Sequence, residues 1–98
     1  MKLPIDYTSA HWTERKQARE EYVKIQKGLC HFCGESLSAA PRKDIDEKSI
    51  NWRLFPKNFM QWPVHLHHDH TTGMTIGAVH AKCNAVLSGL MRKPHLLR

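Results

Sequence analysis

The sequence predicts a small α+β domain in which an N-terminal helix precedes a β-hairpin and a second helix. One reason is length, because 98 residues fit a single domain spanning residues 1–98. A second reason is a helical pattern in the first third of the chain. A third is a pair of short apolar segments that flank a turn-rich stretch and precede another helical pattern. A domain of this size has a modest core, so a bound metal ion is expected to contribute to its stability.

Residues 13–27 are predicted to form the N-terminal helix. The stretch contains no glycine or proline, and its apolar residues recur at helical spacing. Thr13 suits the N-cap position, and Gly28 can adopt the left-handed conformation that ends a helix. Residues 1–12 are expected to be an irregular lead-in.

Cys30 and Cys33 form a Cys-x-x-Cys pair in a glycine-flanked knuckle over residues 28–34. Two thiolates at this separation suit one tetrahedral ion. His80 and Cys83 repeat the two-residue gap with one imidazole and one thiolate, so a single Cys₃His set uses all three cysteines of the chain. We therefore predict a structural Zn²⁺ site.

Alternatives to this assignment stay open at the level of sequence. The Cys-x-x-Cys pair could be redox-active, with Cys83 as a buried core thiol, although no thioredoxin-like alternation of strands and helices accompanies it. His31 or His65 could replace His80 as the fourth ligand. The odd cysteine count and the lack of an N-terminal apolar run argue against a disulfide framework and for a reducing, cytoplasmic compartment.

A β-hairpin and a second helix are predicted toward the end of the chain. Residues 64–66 and 74–79 are the two strands, and turn-forming residues lie between them. A helical pattern follows over residues 81–91. Between the knuckle and the hairpin we expect a polar surface loop over residues 35–50 and an irregular, partly buried segment over residues 51–63.

Four of the eight histidines fall between positions 65 and 70. Side chains alternate along an extended strand, so His65 and His67 share one face while His68 points to the other. One imidazole can then bind a metal ion while its neighbour accepts a proton. The alternative is that these histidines only complete zinc sites.

The order of these motifs resembles the HNH, or ββα-metal, endonucleases, and most closely their recombination endonuclease VII-like branch. In that branch a typical core reads Asp-His-Asp-His, then a Thr-Gly turn, then Cys-x-x-Cys-Asn. The corresponding residues here are His67-His68-Asp69-His70, Thr72-Gly73 and His80-Ala81-Lys82-Cys83-Asn84. The resemblance also covers the helix end and the knuckle, and it implies a ββα-metal core over residues 64–92 beside a structural zinc site.

Two positions depart from the pattern of the branch. His67 stands where the branch has a metal-binding Asp, which shifts the expected catalytic ion from Mg²⁺ toward Mn²⁺, Ni²⁺ or other ions that accept imidazole. His80 replaces a zinc-binding Cys, a change that should preserve the geometry of the zinc site.

The resemblance implies a role for each matching residue. His68 is the general base for the attacking water, which requires a neutral ring and suits an ordinary pKa of about 6.5. His67 and Asn84 hold one divalent cation on the scissile phosphate, although Asn84 alone would be read as a helix-start residue. His70 contacts the phosphate or orients the site, unless it is simply an exposed turn residue. Asp69 is expected to anchor the turn.

Basic residues outnumber acidic ones by 15 to 9, a formal net charge of +6, which favours a polyanion such as DNA as partner. Lys82, Arg92 and Lys93, on or just after the last helix, are the candidate phosphate contacts, and each could equally be a solvated surface charge. The three tryptophans are expected in the core. No apolar run suggests a membrane span, and a monomer is favoured.

The expected function is that of a metal-dependent DNA endonuclease that nicks or cuts phosphodiester bonds with a histidine general base. The main alternative is a non-catalytic, zinc-stabilised DNA-binding module, and a third is a zinc-bound protein-interaction domain. By association, a small HNH protein suggests a phage or mobile-element gene acting in the host cytoplasm.

Overall fold

A computed structural model describes residues 1–43 and 61–92 of the chain. Its helices and strands are, in chain order, α1 (Trp12–Ile25), β1 (Val64–His68), β2 (Thr75–His80) and α2 (Ala81–Arg92). Strands β1 and β2 form an antiparallel sheet that both helices contact. The small α+β class is therefore confirmed. No helix in the described ranges is both long enough and apolar enough to cross a membrane.

Helix α1 begins at Trp12 because His11, rather than Thr13, is its N-cap. The His11 ring accepts a hydrogen bond from the Thr13 backbone, and the Glu14 carboxylate accepts one from the His11 backbone. This reciprocal arrangement is a capping box in which an imidazole takes the place of the usual hydroxyl. The predicted cap at Thr13 was therefore wrong.

Helix α1 ends at Ile25, two residues before the predicted end. Lys27 and Gly28 both have positive φ angles, 57° and 75°, so the left-handed turn predicted at Gly28 begins one residue earlier. The Tyr22 hydroxyl lies 2.9 Å from the Thr75 hydroxyl. This hydrogen bond ties the last turns of the helix to the first residue of β2.

Strand β1 extends further than the sequence predicted, through His68 instead of ending at Leu66. His67 lies opposite Gly77, His68 lies opposite Thr75, and the register shifts between these two pairs. An irregularity of this kind changes the direction in which a side chain points from the strand. It falls between the two adjacent histidines to which the sequence assigned different roles.

Asp69 anchors the turn between the strands, as predicted. Its carboxylate accepts hydrogen bonds from the backbone of Thr71 (2.7 Å) and Thr72 (3.0 Å). These bonds hold the pKa of the Asp69 carboxyl below its ordinary value. Gly73 closes the turn with φ 80°, and a Cβ there would lie 2.8 Å from a carboxylate oxygen of Asp6. Only glycine meets both constraints without strain.

The N-terminal segment is more ordered than the irregular lead-in that the sequence predicted. Asp6 forms an antiparallel bridge with Met74, and the Tyr7 backbone donates to the Gly73 carbonyl at 2.8 Å. The segment therefore adds a short backbone pairing beside the turn. This pairing brings Tyr7 next to the end of β1.

The buried core is centred on the cysteines. They supply three of the six members of the main buried cluster, and Leu37 and residues of β2 supply the others. Trp12 and Trp62, which were predicted to be core residues, are 66% and 65% exposed. Trp52 lies outside the described residues, as does most of the predicted apolar segment over residues 51–63. Thiols rather than aromatic rings thus fill the centre of this part of the domain.

Candidate metal centre and histidine cluster

Cys30, Cys33, His80 and Cys83 converge at one point. Their ligand atoms all lie within 4.8 Å of one another, and all four residues are buried. His80 Nδ1 is 3.4 Å from Cys33 Sγ and 3.7 Å from Cys83 Sγ. Sulfur and nitrogen ligands around a tetrahedral zinc ion are about 3.5–3.8 Å apart at ordinary bond lengths. The geometry therefore matches a Cys₃His set that could bind a structural zinc ion.

The knuckle holds its two thiols by a tight backbone turn. Gly34, with φ 82°, donates its backbone N–H to the Cys30 carbonyl at 3.0 Å. The backbone nitrogens of Phe32 and Cys33 lie 3.4 and 3.5 Å from Cys30 Sγ. Burial alone would raise the pKa of the Cys30 thiol, but the backbone donors, Cys33 first among them, lower it below its ordinary value. The turn is thus built to stabilise a thiolate.

His80 is oriented through its second ring nitrogen. Nε2 lies 2.8 Å from the Ser36 carbonyl and 3.0 Å from the Ala39 carbonyl. Carbonyl oxygens only accept, so Nε2 carries the hydrogen and Nδ1 directs its lone pair toward the thiols. Such an outer hydrogen bond is typical of metal-ligating histidines. His80, rather than His31 or His65, is therefore the fourth member of the set.

The electrostatics of the four-residue set favour a bound cation. Burial raises the pKa of the Cys83 thiol, and the neighbouring Cys30 and Cys33 raise it further. Three thiols this close cannot all ionise alone, because their negative charges repel. A divalent cation would offset that repulsion, which is what the chemistry of the donor set requires.

The junction between β2 and α2 connects the metal centre to the histidines of β1. His80 is the last residue of β2, and Cys83 lies in the first turn of α2. Asn84 is the next residue, so its side chain points about 100° further round the helix. One short segment thus orients two candidate zinc ligands and the amide that reaches β1.

His67 is buried, with 5% of its surface exposed, and its Nδ1 has no hydrogen-bond partner. Among the side chains that the structure describes, no other nitrogen or oxygen is both buried and without a hydrogen-bond partner. Burial lowers the pKa of His67, and a side-chain hydrogen bond with Asn84 offsets part of that shift. An unpaired buried nitrogen costs free energy unless a ligand engages it. His67 therefore has the surroundings of an ion ligand.

Asn84 reaches the same face of β1 as His67. Its amide nitrogen lies 3.1 Å from His65 Nδ1. An amide nitrogen only donates, so His65 is the acceptor, and the amide oxygen is the atom of Asn84 suited to a cation. His65, which the sequence offered only as an alternative zinc ligand, thus orients the Asn84 amide. The three residues define the His67 cluster: His65, His67 and Asn84.

His68 lies apart from this cluster, in a stack of side chains formed by Arg15, Tyr7, His68 and His70. Its ring is 3.9 Å from the Tyr7 ring and 5.0 Å from the His70 ring, at interplanar angles of 5° and 4°. The Arg15 guanidinium lies 4.1 Å from the Tyr7 ring centroid. Burial lowers the pKa of His68, and His70 and Arg15 lower it further. The lowered pKa favours the neutral ring, the form that a general base requires.

Of the three candidate DNA contacts, the structure describes Lys82 and the backbone of Arg92. Lys82 is half-buried in the first turn of α2, and Arg92 is the last residue of that helix. Lys93 lies outside the described residues. Contact of these three residues with DNA stays a prediction.

Comparisons of the chain with models of known protein families, with curated proteins and with solved structures find no match. The resemblance to HNH endonucleases therefore depends on the motifs in the sequence.

Proposed function

We propose that the protein is a metal-dependent DNA endonuclease with a ββα-metal core, in which β1, β2 and α2 form the catalytic unit and the Cys₃His set is a structural zinc centre. The observation that carries this proposal is the buried His67, whose Nδ1 has no hydrogen-bond partner and whose side chain has a hydrogen bond with Asn84. The next residue in sequence is His68, whose pKa is lowered. A module that only binds zinc and DNA would need neither feature.

The His67 cluster would hold the catalytic cation through the His67 ring and the Asn84 amide oxygen. Bound there, a divalent cation would polarise the scissile phosphate and stabilise the negative charge that develops on the leaving oxygen. The imidazole ligand favours Mn²⁺, Ni²⁺ or similar ions over Mg²⁺. The zinc centre fixes the start of α2, and through it the position of Asn84.

His68 would accept the proton of the attacking water. Its lowered pKa keeps a ring nitrogen unprotonated at neutral pH. The rings stacked on His68 hold the plane of the imidazole, while His70 at the exposed end of the stack is the candidate phosphate contact. The products would be 5′-phosphate and 3′-hydroxyl ends, as the resemblance implies.

DNA is the proposed substrate. The formal charge of +6 favours a polyanion, and Lys82, Arg92 and Lys93 remain the candidate phosphate contacts. We propose cleavage of low sequence specificity by a monomer.

Cleavage of supercoiled plasmid by the zinc-loaded protein tests the proposal. We expect nicked or linear DNA when Mg²⁺, Mn²⁺ or Ni²⁺ is added, with imidazole-tolerant ions more effective than Mg²⁺, and intact plasmid when no ion is added. Protein loaded with one equivalent of Zn²⁺ and no further ion is the matched control, because that Zn²⁺ fills the thiolate site and leaves none for the His67 cluster.

Two results would contradict the proposed endonuclease activity. Salt-dependent DNA binding without nicking in any ion would support the zinc-stabilised DNA-binding module. The absence of salt-dependent DNA affinity would instead point to a protein-interaction domain.

A further inference from the structure

We propose that Tyr7 is a positioning residue for His68, holding the imidazole by ring stacking in the orientation in which it accepts a proton. The inference rests on the proposed function. It assigns a role in the site to the N-terminal segment, which none of the sequence motifs includes.

The stacking geometry is what carries the inference. The Tyr7 and His68 rings are nearly parallel, at 5°, and their centroids are 3.9 Å apart. His70 is parallel to His68 within 4° at 5.0 Å. Two parallel rings this near to one imidazole must lie on its opposite faces, because they would overlap on the same face. His68 is therefore sandwiched.

An imidazole stacked on both faces can still accept a proton at its ring nitrogens, but the rotation of its ring about the outer side-chain torsion is restricted. The outer torsion of a histidine side chain has broad, weak preferences, so an unrestrained ring on a strand turns readily. Rings on both faces restrict that torsion, whereas both ring nitrogens lie on the edge, which stacking leaves uncovered. The imidazole can thus meet a water molecule in one orientation, and alignment of reacting groups is a large part of the rate in such reactions.

Tyr7 is itself fixed through its backbone and its ring face. Its backbone N–H donates to the Gly73 carbonyl at 2.8 Å, and its carbonyl accepts from Arg15 Nε at 2.9 Å. The Arg15 guanidinium also covers the ring at 4.1 Å from its centroid, a favourable cation–π contact. None of these contacts uses the phenol oxygen. Phenylalanine should therefore preserve them, and an aliphatic residue should not.

The experiment compares zinc-loaded wild type, Tyr7→Phe and Tyr7→Leu. Leucine fills similar apolar volume but cannot stack. We measure kcat and KM for plasmid cleavage in Mn²⁺, and the NMR shifts of the His68 ring protons, which are assigned by their loss in His68→Ala. We expect Tyr7→Phe to retain both the shifts and the rate. The stacked Tyr7 ring displaces the NMR shifts of the His68 ring protons through its ring current, and Tyr7→Leu should lose this ring-current displacement. The same variant should lower kcat by about 10- to 100-fold with KM unchanged.

Zinc content and the thermal midpoint are measured on each protein. Should Tyr7→Leu fail to fold, Tyr7→Met replaces it, because methionine adapts to irregular gaps. The inference is overturned if the non-stacking variant cleaves at the wild-type kcat after the ring-current displacement is lost. It is equally overturned if Tyr7→Phe is as slow as Tyr7→Leu, since the phenol oxygen would then be responsible. A wild-type protein that cleaves no DNA would instead overturn the proposed function.

Discussion

Replacement of His68 by alanine is expected to reduce the rate of plasmid cleavage by a factor of about 10² to 10⁴, the usual contribution of a general base. Zinc content should not change, because His68 does not belong to the Cys₃His set. DNA affinity should also persist, because basic residues elsewhere supply the electrostatic attraction. Single-turnover cleavage at saturating protein, metal analysis and fluorescence anisotropy with labelled DNA measure these three quantities.

His31→Ala is the matched control for His68→Ala. His31 is an exposed histidine close enough to influence the pKa of His67, but it belongs to neither candidate metal site. We expect this variant to cleave at close to the wild-type rate. The assignment of the base would be wrong if His68→Ala cut plasmid as fast as wild type. A loss of cleavage accompanied by a loss of zinc would make the role of His68 structural.

Removal of zinc is expected to unfold the domain. Three of the six residues in the main buried cluster are cysteines, so loss of the ion would leave buried thiolates at the centre of the core without a bridging counter-charge. Structural zinc sites contribute about 10–16 kcal/mol of binding free energy, whereas ordinary domains are stable by only about 5–15 kcal/mol. Helical circular dichroism should therefore fall when a strong chelator is added and return with one equivalent of Zn²⁺.

Ligand variants separate metal binding from general damage to the core. Cys83→Ala should lose zinc and remain unfolded. His80→Cys should retain zinc and the fold, because four thiolates are a common structural set. A chelated protein that kept its helical signal and the thermal midpoint of the loaded protein would show that the ion is not structural.

The metal centre could be predicted from the sequence because its constraints are local. Each ligand pair has the same two-residue gap, which suits one shared ion, and the gaps are visible without knowledge of the fold. The hairpin turn and α2 were likewise predicted from neighbouring residues, with boundaries one or two residues off. The N-cap of α1 was predicted at the wrong residue because the His11 ring accepts the capping hydrogen bond, a role usually taken by a hydroxyl or carboxylate side chain.

Contacts between distant parts of the chain could not be predicted. Tyr7 meets His68 through an unforeseen backbone pairing between the N-terminal segment and the turn. The contact between His65 and Asn84 depends on two features together, the register of β1 on β2 and the residue at which α2 begins. Trp12 and Trp62 were expected to fill the core, but buried thiols occupy its centre.

The most direct test of the central claim, that one short scaffold carries two independent ion sites, is a Mn²⁺ titration of the zinc-loaded protein followed by electron paramagnetic resonance. Wild type and His67→Ala are titrated, and zinc content and cleavage are measured on the same samples. We predict that wild type binds one Mn²⁺ per chain and keeps its zinc, and that His67→Ala loses the Mn²⁺ and the cleavage together while its zinc remains. Equal Mn²⁺ binding by the two proteins, or Mn²⁺ that enters only as zinc leaves, would contradict it.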